Sequence, residues 1–512
     1  MLQGSKLCYK IYTSAHKCYD GVVTLLTSEN FDLLLTEALH RSPTKNMGTV
    51  HAKEPSSMLP PPTDTMESEH HHPRVQKHVF KGTTPCKVQK VHITGLGRTK
   101  NDLVIPQVQD VLKSENFKDV IQRSAEAKLR LEALGIFSSV GVLVDTAKGP
   151  GAKPNGMDIT FKVKETRRLL GSAHTTVGNN EGTLALGAKM PNLCGRAENL
   201  VAEYSRSSRK SNGFSVTFLK PYGKDLNRKF TVSAFKSDGD FPQSSFKETD
   251  IGTFVEFVVP NGFNRHNFRW EGVWRETSCL GRTASFDVRS EAGHSLKSSL
   301  KHTFTRDTRD EHIFPSKGYL VRIAHELAGE TGGDVKFLKE EFEVQLNKKL
   351  LFDSVLSCTL QGGLMKPYRD SKSLIIDRFF LGGPTSVRGF QMRSIGPHSN
   401  GDYVGAEAFM AAGLHLYTPL PFRPGRGSFG DLFRTHLFVN GGHLANVNLE
   451  TPNWREDLQQ LRQTVRCSYG AGILLRLGRI ARFELNYCVP VSAQAEDKIQ
   501  GGVQFGVGIN FL

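Results

Sequence analysis

From residue 169 onward, apolar and polar side chains alternate in short runs bounded by Gly, Asn, Asp and Pro. Leu485, Tyr487 and Val489 alternate with Glu484, Asn486 and Cys488. Tyr469, Ala471, Ile473, Leu475 and Leu477 alternate with Gly470, Gly472 and Arg476, and only Leu474 is out of step. Val503, Phe505, Val507, Ile509 and Phe511 alternate with Gln504, Gly506, Gly508 and Asn510. A period of two predicts strands with one apolar face. Turn signals recur at Asn179-Asn180, Ser211-Asn-Gly213, Ser237-Asp-Gly239, Pro260-Asn-Gly262 and Gly332-Gly-Asp334. A soluble sandwich shares the alternation but rarely carries it over so long a unit. A closed transmembrane barrel does, because each strand needs only about 9–11 residues to cross.

Residues 87–168 carry a different pattern, that of one small α+β domain. Val88, Val91 and Ile93 mark a first strand that stops at Gly95-Leu-Gly97. A helix is expected over Lys100–Lys113, weakened at Pro106. A stronger one runs over about 117–134, with Phe117, Val120, Ile121, Ala125, Leu131 and Leu134 on one side and Gly135 as its stop. Strands follow at Val140–Asp145 and Met157–Lys164. Residues 53–86 are rich in Pro, Ser and His and poor in apolar side chains, so the N-terminal extension 1–86 is expected to be disordered.

Composition changes the picture little. Mean hydropathy is −0.34, which would suit a soluble protein, but barrel strands alternate lipid-facing with lumen-facing residues and average out the same way. No apolar run reaches the roughly 18 residues of a membrane helix. The net charge of +15 is spread along the chain, without the interleaved aromatic and basic motif of nucleic-acid binders. The eight cysteines are far apart and show no metal spacing, so neither disulfides nor a metal nor a cofactor is expected. His70-His71-His72 reads as solvated linker. Motifs for Ser-hydrolase, zinc-protease and phosphate-loop chemistry are absent, and no enzyme activity is expected. There is no basic-then-apolar secretory leader at the start of the chain.

One stretch breaks the alternation. Residues 377–397 hold four glycines and two prolines, which forbid a regular helix and argue against a central strand. Yet Phe379, Phe380, Leu381, Val387, Phe390 and Ile395 are apolar, which is wrong for a solvated loop. Such a segment must satisfy its backbone inside something. Arg388 at its centre then needs a carboxylate or a cluster of carbonyls. A packed Ω-loop shares these features.

The run Gly383-Pro-Thr-Ser-Val-Arg-Gly-Phe390 with Ile395-Gly-Pro397 resembles the sixth-loop motif of the outer-membrane β-barrel assembly superfamily. Leu414–Pro424, Val177–Gly182 and the final strand are similar to the mitochondrial branch of that superfamily, the central barrel subunits of the sorting and assembly machinery. The resemblance covers roughly residues 88–512. It implies a fold: an all-β transmembrane barrel of about 16 antiparallel strands over 169–512. One small α+β polypeptide-transport-associated (POTRA) domain over 87–168 precedes it, with Leu131–Phe137 as its signature. The single copy favours the mitochondrial branch. Met47-Gly-Thr-Val-His-Ala52 resembles the start of animal members, which would make residues 1–46 upstream sequence.

The same resemblance implies that loop 377–397 folds into the barrel and that Val387, Arg388, Gly389 and Phe390 brace its inner wall. Bacterial relatives receive the arginine on carboxylates where this chain has His415 and Asn440, so Glu407 and Glu484 are the candidate partners. The first strand, 171–180, and the last, 502–512, must pair to close the barrel. Both look weak. Gly171, Gly178, Gly502, Gly506 and Gly508 remove packing, and His174 and Thr176 make the first strand polar. Glycine could instead serve only the barrel's curvature. Gln504, Gly506, Ile509 and Phe511 match the signal by which the family recognises client barrels.

The expected function is therefore an insertase for β-barrel precursors in the mitochondrial outer membrane, working through a lateral gate, with the N-terminal domain in the intermembrane space. Expected partners are precursor barrels, other subunits of the sorting and assembly machinery, an inner-membrane organising complex and membrane lipid. A passive pore or a protein-translocating channel is the alternative.

Overall fold

The structure, a computed structural model, describes residues 84–149, 151–178, 181–208, 211–222, 227–369, 371–420, 429–446, 464–478, 481–508 and 511–512. The expectations for residues 1–83, for Asn179 and Asn180, and for Ile509 lie outside these residues.

The N-terminal domain runs β1 (Lys87–Thr94), α1 (Asn101–Val108), α2 (Phe117–Ala133), β2 (Phe137–Thr146) and β3 (Gly156–Glu165). The sheet order is β1-β3-β2, with β1 parallel and β2 antiparallel to β3. The first helix is shorter than its apolar pattern suggests. It ends at Val108 and tightens into a 3-10 turn over Gln109–Lys113, just past Pro106, which supplies no N–H. Gly135, at φ 65°, stops the second. Val104, Val120, Ala127, Leu131, Ile159 and Phe161 are fully buried between helices and sheet. The domain starts earlier than residue 87. Phe117 N–H donates to Thr84 O at 3.0 Å, Cys86 N–H to Glu115 O at 3.0 Å, and the Cys86 side chain is in the core.

The barrel begins with β4 (Leu170–Gly178), β5 (Glu181–Pro191), β6 (Asn199–Ser207), β7 (Asn212–Pro221), β8 (Lys229–Phe241), β9 (Phe246–Asn261), β10 (Asn264–Cys279) and β11 (Gly293–Asp307). It continues with β12 (Gly318–Lys349) and β13 (Val355–Pro367). After the short hairpin β14 (His398–Ser399) and β15 (Asp402–Tyr403) come β16 (Ala408–Thr418), β17 (Phe433–Ala445), β18 (Arg466–Leu477), β19 (Ala481–Ser492) and β20 (Gly502–Gly508). Fifteen strands, β4–β13 and β16–β20, make one sheet of sequential neighbours. The ribbon β12 crosses twice. Its first limb pairs with β11 and its second with β13, and Asn347 Nδ2 reaches back to Gly318 O at 3.5 Å. Fourteen single crossings and one double give sixteen crossings among the described residues.

The wall is inverted relative to a soluble protein. Trp274, Leu346, Leu437, Tyr487 and Val503 are exposed on the outside, while Arg275, Lys339, Asn440 and Glu484 are buried on the inside. That is the pattern of a strand-spanned bilayer. Among the described residues no helix is long and apolar enough to cross a membrane. Leu474 breaks the alternation because it faces inward, where it packs with Val355 and Tyr417.

Barrel and domain are joined at the β5–β6 turn. Asn192 Nδ2 donates to Thr99 Oγ1 at 2.8 Å, Lys100 N–H to Gly195 O at 2.9 Å, and Arg196 Nε to Asp102 Oδ2 at 2.7 Å. Ala197 is buried in the domain's own core. On the other side of this joint Glu165 accepts from the N–H groups of Gly97, Arg98 and Thr99 and from Thr99 Oγ1. Burial alone would raise its carboxyl, but these hydrogen bonds outweigh that and hold it down at about 2.

Candidate functional site: lumenal loop and seam

Loop 377–397 leaves the end of β13 and folds into the barrel. Phe379, Leu381, Val387, Phe390 and Ile395 are buried there against Phe337, Met365, Ala411 and Leu444 of the inner wall. Its backbone is satisfied in place. Phe379 exchanges hydrogen bonds with Ala406, Ile395 N–H donates to Leu381 O, and Gln500 N–H donates to Gly389 O at 2.8 Å. Gly389 has φ 82°, and a Cβ there would stand 3.2 Å from Ser468 Cβ, so the loop meets β18 as closely as it can.

Arg388 is fully buried, as is Glu484. Nε and Nη2 donate to Glu484 Oε2 at 3.0 and 2.9 Å, and Nη1 donates to Leu512 O at 3.2 Å. Asn440, with its amide nitrogen donating to Ser468, accepts from Arg388 N and Nη1 at 3.2 Å each. Arg482 Nη2 lies 2.9 Å from the other oxygen of Glu484, so two guanidinium groups share one carboxylate. Glu407 is not a partner of Arg388. It stands just before β16, where its N–H donates to Asn446 Oδ1 and its carbonyl accepts from Met365 N–H. His415 faces the same space but bonds to His436 at 3.0 Å, which in turn bonds to Asn486 at 3.0 Å.

Two further ion pairs hold the loop and the segment before β20. Arg275 of β10 grips Asp377 with two bonds of 2.9 and 3.0 Å. Arg466 of β18 grips Asp497 at 2.9 and 3.2 Å, and Asp497 also accepts from Gly396 N–H. Sequence reasoning missed both. Arg275 and Arg466 sit on inward parity, which is the one signal that could have singled them out.

The seam differs from every other strand boundary. β4 pairs with β5 and β20 with β19, but no β4–β20 ladder is present among the described residues. Among the described residues the final strand covers Gly502–Gly508, and Phe511 and Leu512 are not part of it. Phe511 and Leu512 turn into the lumen. The Phe511 ring lies under Arg482 and Arg388, 4.1 and 5.6 Å from their guanidinium carbons, and Leu512 N–H donates to Thr385 O. Gln504 points inward and bridges the loop, accepting from Gly389 N–H at 3.0 Å and donating to Phe390 O at 2.9 Å.

Two glycines of the last strand stand against the loop. A Cβ at Gly506 would lie 3.1 Å from Pro384, and one at Gly508 3.5 Å from Thr385 and Phe511, so both make room for the loop. Gly502 has φ 87°, and Gly171 and Gly178 lie on β4, opposite Ala188 and Glu181 of β5. His174 of that strand turns to Glu203 of β6 at 3.8 Å, and Thr176 is opposite Thr183 in the β4–β5 ladder. The structure thus brings together Val387, Arg388, Gly389, Phe390, Glu484, Gln504, Gly506, Gly508 and Phe511, and leaves Glu407 apart.

Residues 192–511 match the Omp85 superfamily domain. The chain is 52% identical over 475 residues to the Xenopus laevis sorting and assembly machinery component 50 homolog B, covering 91% of this chain and all of that one. It is 52% identical over 472 residues to the Homo sapiens homolog, with the same coverage. A SAM50-like protein of Drosophila melanogaster is 33% identical over 83% of the chain. Among solved structures, BamA of Haemophilus ducreyi lacking POTRA domains 1–3 superposes with a TM-score of 0.67 at 19% identity, covering 83% of this chain and 84% of that one. That likeness speaks for the fold.

Proposed function

The chain belongs to the Omp85 superfamily, in its sorting and assembly machinery component 50 family, and from that membership we propose that it folds and inserts β-barrel precursors into the mitochondrial outer membrane. The observation that carries the mechanism is the outer edge of β4, which has no ladder partner among the described residues. In a bilayer its free N–H and C=O groups have no water to bond, so an incoming strand gains the full value of each backbone hydrogen bond. The client's last strand adds to β4, and β20 with the inward-turned Phe511–Leu512 gives way. The lumenal loop keeps the inner wall in register while the seam is open. The work is backbone pairing, with no covalent step.

The N-terminal domain, a polypeptide-transport-associated domain in element order, faces the intermembrane space in this reading and stands beside the client's entry. Other subunits of the machinery, an inner-membrane organising complex and outer-membrane lipid complete its surroundings. A passive pore accords poorly with a lumen occupied by the apolar loop.

A cysteine in Gly171–Gly178 joined by a disulfide to one in Val503–Gly508 tests the gate. Insertion of an arrested precursor into isolated mitochondria should stop when the disulfide forms and return on reduction. Single cysteines along β4 should also crosslink to a client's last strand in one fixed register. A locked barrel that inserts at the free rate overturns the mechanism.

A further inference from the structure

Four neighbouring crossings carry three histidines and a glutamate on their outward face. His266 of β10 has Nδ1 3.1 Å from Nε2 of His302 on β11. His302 stacks on His325, its register partner on the first limb of β12, with ring planes 10° apart. His325 Nδ1 is 3.7 Å from Oε1 of Glu340 on the second limb. Parity puts the row on the outer wall. Arg269 and Arg275 of β10, Lys301 of β11, and Glu326 and Lys339 of β12 occupy the alternate, lumenal positions and are buried. Phe268, Trp270 and Trp274 share the face of His266 and are exposed.

The row starts two residues inside the β9–β10 turn, at His266, and climbs from there into the apolar wall at His302, His325 and Glu340. Phe268, Leu300, Leu327 and Leu338 are the next outward residues on one side of it, and Phe304, Ile323 and Phe342 on the other, with Asn264 beside His266 at the start of β10. Lipid tails offer these four side chains no hydrogen bonds, and titratable groups on a barrel's lipid face are destabilising. A metal does not explain them, since no three such side chains converge on an ion site among the described residues.

The geometry fits a helix. Ring centroids are 5.4 Å apart for His266–His302 and 6.0 Å apart for His302–His325. The rise between helix residues four apart is about 6 Å. With strands about 4.8 Å apart and tilted about 40°, and a two-residue offset between His266 and His302, the row climbs about 14 Å and drifts about 7 Å. That is about 25° from the barrel axis, within the tilt range of membrane helices. We propose that this row seats the transmembrane helix of another subunit, with hydrogen-bonding side chains four residues apart facing the imidazoles and a Lys or Arg facing Glu340. The imidazoles offer both donors and acceptors, and the carboxylate sets which end of the helix carries the cation.

The row lies on β10–β12, away from the β4–β20 seam, so its failure and that of the gate are separable. The test places a photoreactive side chain at position 302, or at Leu437 on another part of the wall, in the full chain in mitochondrial membranes. Position 302 should crosslink to a membrane helix of a co-assembled subunit, at residues spaced by four that bear hydrogen-bonding side chains, and position 437 should not reach that helix. His302→Leu with His325→Leu should lower recovery of that subunit at least tenfold in barrels that keep folded electrophoretic mobility, and His302→Asn should largely retain it. Crosslinks to lipid alone, or to a second copy of this chain, overturn the proposal. So does undiminished recovery with a folded double variant. Should the double variant not fold, the crosslink map decides.

Discussion

Arg388→Ala should unlock the loop from the wall. Four side-chain hydrogen bonds disappear, two of them to a buried carboxylate. Breaking a buried ion pair from one side costs about 3–5 kcal/mol, because the remaining charge is left without compensation. Here the lower end applies. Glu484 keeps Arg482 at 2.9 Å and Asn486 Nδ2 at 2.8 Å, so about 3 kcal/mol is expected. Arg388→Lys keeps the charge but cannot reach Glu484 and Leu512 together, and should lose about 1–3 kcal/mol. Glu484→Gln strands two guanidinium groups, and combined with Arg388→Ala it should show a coupling of about 2 kcal/mol. Urea titration of the barrel folded in lipid vesicles, read by heat-modifiable electrophoretic mobility, measures each corner of the cycle. Precursor insertion in mitochondria carrying each variant measures the functional consequence. Additivity within about 0.5 kcal/mol would mean that the pair does not hold the loop, and wild-type insertion by both Arg388 variants would reduce the loop to packing.

Two further outcomes follow from the N-terminal domain. A chain beginning at Thr84 should retain the domain's full stability, whereas one beginning at Lys87 should lose about 1–2 kcal/mol with the buried Cys86 side chain and the Thr84 and Cys86 backbone bonds, as read by hydrogen exchange over α2. Because Glu165 is held down at about 2 in the folded domain, its contribution is fully present above about pH 4.5 and is lost as pH falls toward 2. Protection of the Gly97, Arg98 and Thr99 amides, taken relative to intrinsic exchange at each pH, should fall through that window in the native chain, and Glu165→Gln should flatten the response.

Much of the architecture was legible because a strand's side chains alternate whatever surrounds them. The period of two over Val503–Val507 and Leu485–Val489 needed no partner to be read, and the glycines and prolines of 377–397 announced an irregular segment by their backbone limits alone. Arginine in an apolar run likewise demanded an acceptor. Which acceptor was not legible, since Glu407 and Glu484 occupy equivalent polar positions in sequence, and only the registers of β16 and β19 put one beneath the loop and the other beside Asn446. The end of the last strand was also beyond reach. Apolar parity continues unbroken to Phe511, yet that ring turns inward because two guanidinium groups shared with Glu484 wait in the lumen, a contact between residues more than a hundred positions apart in the case of Arg388. Local pattern determined what each strand buries and exposes. Closure of the sheet decided which inward side chains meet, because register and stagger sum around the whole barrel and no single segment contains them.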